Sequence, residues 1–105
     1  MSGLDNTSYT VRATTVATTL TNTDSVLLVS PTGGSIVITV PAGSSVQPGR
    51  NYVVRRDATA TNTVTITPAS GLINGVASLV LAAGAISSAE IYTDGTNWFS
   101  LGTSA

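Results

Sequence analysis

The sequence contains no cysteine, no histidine and no lysine. Without cysteine it has no disulfide, no thiol nucleophile and no zinc–thiolate site, and its redox compartment is left open. Without histidine, a serine or cysteine triad of the usual kind is excluded. Without lysine, a phosphate-binding loop of the Gly-x4-Gly-Lys type cannot be built. Charge of either sign is sparse. Four arginines face five acids for a net charge of −1, and only 9% of residues are charged, against roughly 25% in an ordinary soluble domain. No basic excess is present to neutralise a phosphate backbone, so nucleic acid is not an expected partner. Long apolar runs are also missing. The longest, residues 76–86, spans 11 positions and is interrupted by Ser78, where a membrane-spanning helix needs about 20. Met1-Ser2-Gly3-Leu4-Asp5-Asn6 has neither a basic start nor an apolar stretch behind it, and is read as no signal peptide. No membrane, metal or cofactor is expected.

What the chain does have is small hydroxyls and β-branched residues. Among 105 positions, 18 are Thr and 13 are Ser, and hydrophobic residues make up 42%. Thr, Val and Ile are stiff at the first side-chain torsion and fit a pleated, half-buried surface. Helix formers are scarce, with one Gln and one Glu, and no amphipathic helical window carries start and stop signals. The expected class is all-β in a single domain. Residues 1–12 are taken as an N-terminal arm and residues 13–105 as the folded unit.

Residues 9–20 read as one long strand, or a strand with a bulge, followed by a turn at Asn22-Thr23-Asp24. Residues 25–29 form a short continuous apolar run, as for a strand buried on both faces. In residues 36–40, Ile36, Ile38 and Val40 share one side. Tyr52, Val54 and Arg56 share a face in residues 51–56. Val64 and Ile66 point inward while Thr63, Thr65 and Thr67 point out, until Pro68 stops the strand. Asn74-Gly75 and Asp94-Gly95 both favour the positive torsions of a two-residue hairpin turn. A two-residue turn at the second places Ile91 opposite Trp98; a longer loop changes that register. Eight or nine short strands at roughly even spacing point to an antiparallel β-sandwich or jelly roll rather than a parallel sheet. No internal repeat survives counting.

Candidate chemistry is thin. A glycosidase-type carboxylate pair would have to draw on Asp5, Asp24, Asp57, Glu90 and Asp94, and turns use Asp for local hydrogen bonds. No enzymatic activity is expected. Arg50, Arg55, Arg56 and Asp57 form the local charge cluster. The arginine pair is either a contact to a partner or two strand-end residues, with Arg56 paired to a nearby acid. Arg12 has the same two readings. Trp98, the one tryptophan, is either core or subunit interface, or a stacking platform for a sugar. The sugar reading adds Tyr92 as a second ring and Asn97 and Asp94 as polar partners.

Several landmarks occur together in a fixed order. Val26-Leu27-Leu28-Val29 precedes Ile36-Val37-Ile38-Thr39-Val40-Pro41-Ala42, followed by Pro48-Gly49-Arg50-Asn51-Tyr52-Val53-Val54. Asn62-Thr63-Val64-Thr65-Ile66-Thr67-Pro68 and Gly71-Leu72-Ile73-Asn74-Gly75 come next. Glu90-Ile91-Tyr92-Thr93-Asp94-Gly95-Thr96-Asn97-Trp98 closes the series. In this order and spacing, residues 14–101 resemble a domain of bacteriophage virion proteins found in tail fibres, head fibres and capsid decoration proteins. The resemblance implies a trimeric β-sandwich without catalytic residues. For a small domain it implies a capsid decoration (cement) or head-fibre protein on the outer capsid surface of the virion, with the major capsid protein as partner. A tail-fibre or baseplate module that recognises host carbohydrate is the alternative.

Within that frame, Leu4, Tyr9 and Arg12 are the expected capsid-docking residues, and Arg55, Arg56, Tyr92 and Trp98 the expected subunit interface. Self-association also has a physical motive. Apolar side chains on both faces of several strands ask for a second covering layer. Edge strands this poor in charge are aggregation hazards unless something covers them.

Overall fold

β-branched residues recur at alternate positions through most of the apolar segments, and these segments form strands. The computed structural model describes residues 10–57, 62–82 and 88–104. Its strands are β1 (Val11–Thr14), β2 (Thr18–Thr19), β3 (Val26–Val29), β4 (Ile36–Val40), β5 (Asn51–Arg56), β6 (Val64–Pro68), β7 (Leu79–Leu81), β8 (Ser88–Thr93) and β9 (Trp98–Ser104). A single 3-10 turn, Gly43–Ser45, lies between β4 and β5, and no α-helix occurs among the described residues.

The chain alternates between two sheets. One has the order β1-β3-β5-β8-β9 and the other β2-β4-β6-β7. Within them β1, β3 and β5 run parallel, as do β2, β4 and β6. The later pairs, β5 with β8, β6 with β7 and β8 with β9, are antiparallel. The expectation of an antiparallel domain is therefore corrected: both sheets are mixed. Parallel neighbours need a crossover, usually a helix. Here β4 of the opposite sheet is the crossover between β3 and β5, and β5 is the crossover between β4 and β6. The winding also contains a spatial repeat that counting residues did not find. Val26 pairs with Val53, 27 positions on, and Ile36 with Val64, 28 positions on.

The long strand expected over residues 9–20 is broken in two, with one piece in each sheet. Thr14 makes the break: its hydroxyl accepts the Val16 N–H at 3.1 Å and donates to the Val16 carbonyl at 2.8 Å, a local turn that competes with extended pairing. Val11 and Arg12 are in β1, so the arm expected over residues 1–12 loses its last two positions to the sheet.

One hydrophobic core is shared by both sheets. Leu27, Val29, Tyr52, Val54, Ala89, Ile91 and Trp98 enter it from the five-stranded sheet. Ile36, Ile38, Val40, Val64, Ile66 and Leu81 enter from the four-stranded sheet. The alternations expected in β4, β5 and β6 are all present. Strand β3 differs from expectation, because Leu27 and Val29 are buried while Leu28 is exposed. Pro68 ends β6 as its last member, opposite Val40. The radius of gyration is 13.1 Å, close to the ~13 Å of a compact 100-residue unit.

The two turn dipeptides behave differently. Asn74 and Gly75 have φ of 52° and 78°, and Ile73 and Val76 bond reciprocally across them at 2.8 and 3.0 Å, the expected type I′ geometry. Asp94-Gly95 opens a four-residue loop instead. Asp94 Oδ1 accepts the N–H groups of Thr96 and Asn97, both at 2.9 Å. The register moves accordingly: Thr93 faces Trp98, and Ile91 faces Ser100.

Candidate functional site

Three of the chain's sparse charges, Arg12, Asp24 and Arg50, meet around the turn between β2 and β3. Arg12, on β1, reaches Asp24 with Nε on Oδ1 at 3.0 Å and Nη2 on Oδ2 at 2.8 Å. The same guanidinium donates to Thr18 Oγ1 and to the Thr19 carbonyl, both at 3.2 Å. Asp24 is buried. Its Oδ2 also accepts the Thr21 N–H at 2.9 Å and the Thr21 hydroxyl at 3.2 Å. The hydrogen bond from Arg12 is the main cause that holds this carboxyl below its ordinary range, against the opposing effect of desolvation. The same pairing raises Arg12.

A second arginine, just before β5, braces the turn. Arg50 Nη2 donates to the carbonyls of Asn22 (3.0 Å) and Asp24, and Nη1 donates to the Asn51 carbonyl at 2.6 Å. Its guanidinium carbon lies 4.1 Å from the centre of the Tyr52 ring, a cation–π arrangement. Tyr52 donates its hydroxyl to the Thr21 carbonyl at 3.0 Å. Burial pushes that phenol up, while the charge on Arg50 pulls it down.

Beside this brace opens a cleft of about 500 Å³, lined by Asn22, Ser44, Ser45, Val46, Gln47 and Arg50. The 42–50 segment that lines it is fixed by local bonds and by one to β8. Ser45 N–H and hydroxyl both donate to the Ala42 carbonyl, at 2.9 and 2.7 Å. Gly49 N–H donates to Thr93 O at 2.8 Å, and Arg50 N–H to Gln47 O at 2.9 Å. Gly43 sits where no side chain fits: a Cβ there would lie 2.6 Å from Thr93 Oγ1 and 2.8 Å from the Thr96 carbonyl carbon and oxygen.

The residues singled out from the sequence are dispersed. Leu4 and Tyr9 lie outside the described residues. Arg12 is committed to Asp24 and the β2 strand, so its guanidinium serves the fold. Trp98 is completely buried. Its Nε1 donates to the Pro41 carbonyl at 2.9 Å, and its ring lies 5.7 Å from Tyr52, tilted by 40°. Arg56 is also buried within the single chain, with Nη1 donating to the Asp57 carbonyl at 3.1 Å. Trp98 and Arg56 are therefore corrected: both are buried within the single chain, so neither side chain is exposed to a further subunit or to a sugar. Arg55 is exposed on the outer face of its sheet. Tyr92 is half-buried on the same face, its ring 5.6 Å from Phe99. Asp94 and Asn97 hold their own loop, with Asn97 Oδ1 also accepting the Leu72 N–H at 3.0 Å. Among the described residues, no group of His, Cys, Asp or Glu is arranged to hold a metal ion.

Asp24 and Arg50 organise this end of the fold, and the sequence alone did not reveal it. Asn22-Thr23-Asp24 was legible as a turn, but nothing local indicates that its acid is buried. The available signal was scarcity: with four arginines and five acids in the whole chain, a buried acid has few possible partners.

The outer faces of the sheets form a second feature. On the four-stranded sheet, Val37, Thr65 and Val80 lie in register, as do Thr19, Thr39 and Thr67. Val37 is 49% exposed and Val80 45%, and no ionisable side chain stands among these six. On the five-stranded sheet, Val11, Val26, Val53 and Glu90 form one row, and Ala13, Leu28, Arg55 and Ser88 the next. Val11 is 63% exposed.

No protein-family model matches the chain, and no curated protein and no solved structure shows significant similarity to it.

Proposed function

We propose that this chain is a non-catalytic structural subunit of a virion: a homotrimer that docks on the outer surface of a capsid, as a decoration or head-fibre protein, with the major capsid protein as its partner. The observation that carries the reading is the outer face of the four-stranded sheet, where exposed Val37 and Val80 stand among threonines with no charge. Such a face covers another protein surface without burying an ion, which is the costly event at interfaces. The virion setting and the threefold symmetry come from the resemblance of the ordered landmarks between residues 14 and 101. With the two sheets sharing one core, the monomer is a two-layer β-sandwich that brings its outer faces to the assembly. Arg55 and Tyr92 remain as interface residues, and Leu4 and Tyr9 as docking residues. Clamping an assembled shell and not its separated subunits stabilises the shell by mass action.

Light scattering on the purified chain tests the assembly. The expected mass is three times the 10.5 kDa of one chain. The double variant Val37→Arg/Val80→Arg is expected to give a folded monomer. A wild-type monomer at micromolar concentration overturns the reading. Co-sedimentation of the trimer with capsids of its own virus tests the docking step.

A further inference from the structure

The cleft at the β2–β3 turn has a chemistry that the assembly reading does not use. Arg50 is held there in one orientation by three backbone carbonyls and the Tyr52 ring. Among the described residues no carboxylate pairs with it: Asp24, the nearby acid, gives its side chain to Arg12 and Thr21, and no acid lines the cleft. Among the described residues, the bonds it makes leave Nε–H and one Nη1 hydrogen of the guanidinium without an acceptor. Around this fixed cation stand the side-chain amides of Asn22 and Gln47 and the hydroxyl of Ser44, none of which bonds to another described residue. Each of the three can donate and accept.

We propose that this cleft binds a carboxylated saccharide unit, with its carboxylate against Arg50 and its hydroxyls on Asn22, Ser44 and Gln47. The inference does not depend on the assembly proposed above. A pre-organised guanidinium pairs with a carboxylate at low entropic cost. Amide and hydroxyl groups that donate and accept match a ring of vicinal hydroxyls. Val46 is the one large apolar side chain in the lining, so the cleft lacks the hydrophobic walls that a lipid or an aromatic ligand needs. A phosphate group is a poorer match, because a single arginine stands in the cleft and the chain has no lysine to assist it.

The test is a 15N chemical-shift titration of the whole chain with three probes: sodium galacturonate, galactose and inorganic phosphate. Galacturonate is expected to give saturable shifts centred on Asn22, Ser44, Gln47 and Arg50, with galactose and phosphate each at least tenfold weaker. Because Arg50 also braces the turn, the diagnostic variants are Ser44→Ala and Gln47→Ala, whose side chains bond to no other described residue. Each is expected to weaken galacturonate several-fold at unchanged melting temperature. Absence of saturable shifts overturns the proposal. So does an equal response to galactose, an equal response to phosphate, shifts centred elsewhere, or full affinity in both variants. The mass of the assembly is read separately, so failure here leaves the assembly proposal standing.

Discussion

Arg12 and Asp24 close a two-point ion pair across the crossing from one sheet to the other. Arg12 lies on β1 of the five-stranded sheet, its guanidinium also grips β2 of the four-stranded sheet, and Asp24 sits in the turn that leads the chain back. The first coil of the fold is thus tied by a polar group in addition to the apolar packing of Leu20 and Leu27.

The pair gives stability a defined acid limb. Hydrogen bonding to Arg12 holds the Asp24 carboxyl below its ordinary value of 3.8, so the folded state binds its proton less tightly than the unfolded state. The contribution is complete above about pH 4 and is lost as pH falls from there through the folded-state value. Asp94, lowered by the N–H groups of Asn97 and Thr96, acts with the same sign. Thermal melts from pH 7 to pH 2 are expected to show the loss. Asp24→Asn should flatten most of it and cost about 2–3 kcal/mol at pH 7. An unchanged acid limb in that variant contradicts the assignment.

Trp98 reports on the core. Its emission is expected to be blue-shifted and protected from acrylamide, as befits a ring with no exposure. Trp98→Phe leaves the Pro41 carbonyl without its donor, at a cost of about 1–3 kcal/mol. Trp98→Ala adds a large cavity and should cost about 3–5 kcal/mol. Chemical denaturation measures both. Readily quenched, red-shifted emission in the native protein contradicts the packing.

Gly43 tests the contact between the 3-10 turn and the loop after β8. Gly43→Ala forces a methyl against the Thr96 backbone and should cost about 1–3 kcal/mol, lowering the melting temperature by several degrees. Gly33→Ala, where nothing lies within 4 Å, is the control and should leave it unchanged.

Asn74 joins two roles that substitutions can separate. It holds a positive φ of 52°, and its amide brackets Ser100, with Nδ2 donating to Oγ and Oδ1 accepting the N–H, both at 2.9 Å. Asn74→Gly keeps the torsion and loses the two bonds. Asn74→Ala loses both, so it should be the less stable variant by roughly 1 kcal/mol. The reverse order in urea denaturation contradicts this division.

Features set by neighbouring residues were legible from the sequence. Ile36, Ile38 and Val40, like Val64 and Ile66, declare their face by period-two alternation. Asn74-Gly75 declares its turn because both residues tolerate positive φ. The pairing partners were hidden, because the connection between parallel neighbours is itself a strand and so leaves no helical signature. The spatial repeat was hidden because matched positions need only suit the same face: Val40 lies opposite Pro68, and Val29 opposite Arg56. Asp94-Gly95 misled because Asp94 Oδ1 captures two N–H groups and so widens the loop. The cleft depends on bringing Asn22 beside Gln47 and Arg50, and no local pattern states that approach.

The winding has a consequence for how such a chain can lengthen. Because β3 and β4 are followed by equivalents 27 and 28 positions later, inserting one further unit of that size would widen each layer by one strand and leave both ends of the molecule as they are. Growth of this kind resembles that of stacked-repeat proteins, in which each unit contacts only its immediate neighbours. The breadth of the exposed valine–threonine surface would then scale with gene length, without redesign of the polar end that carries Arg50.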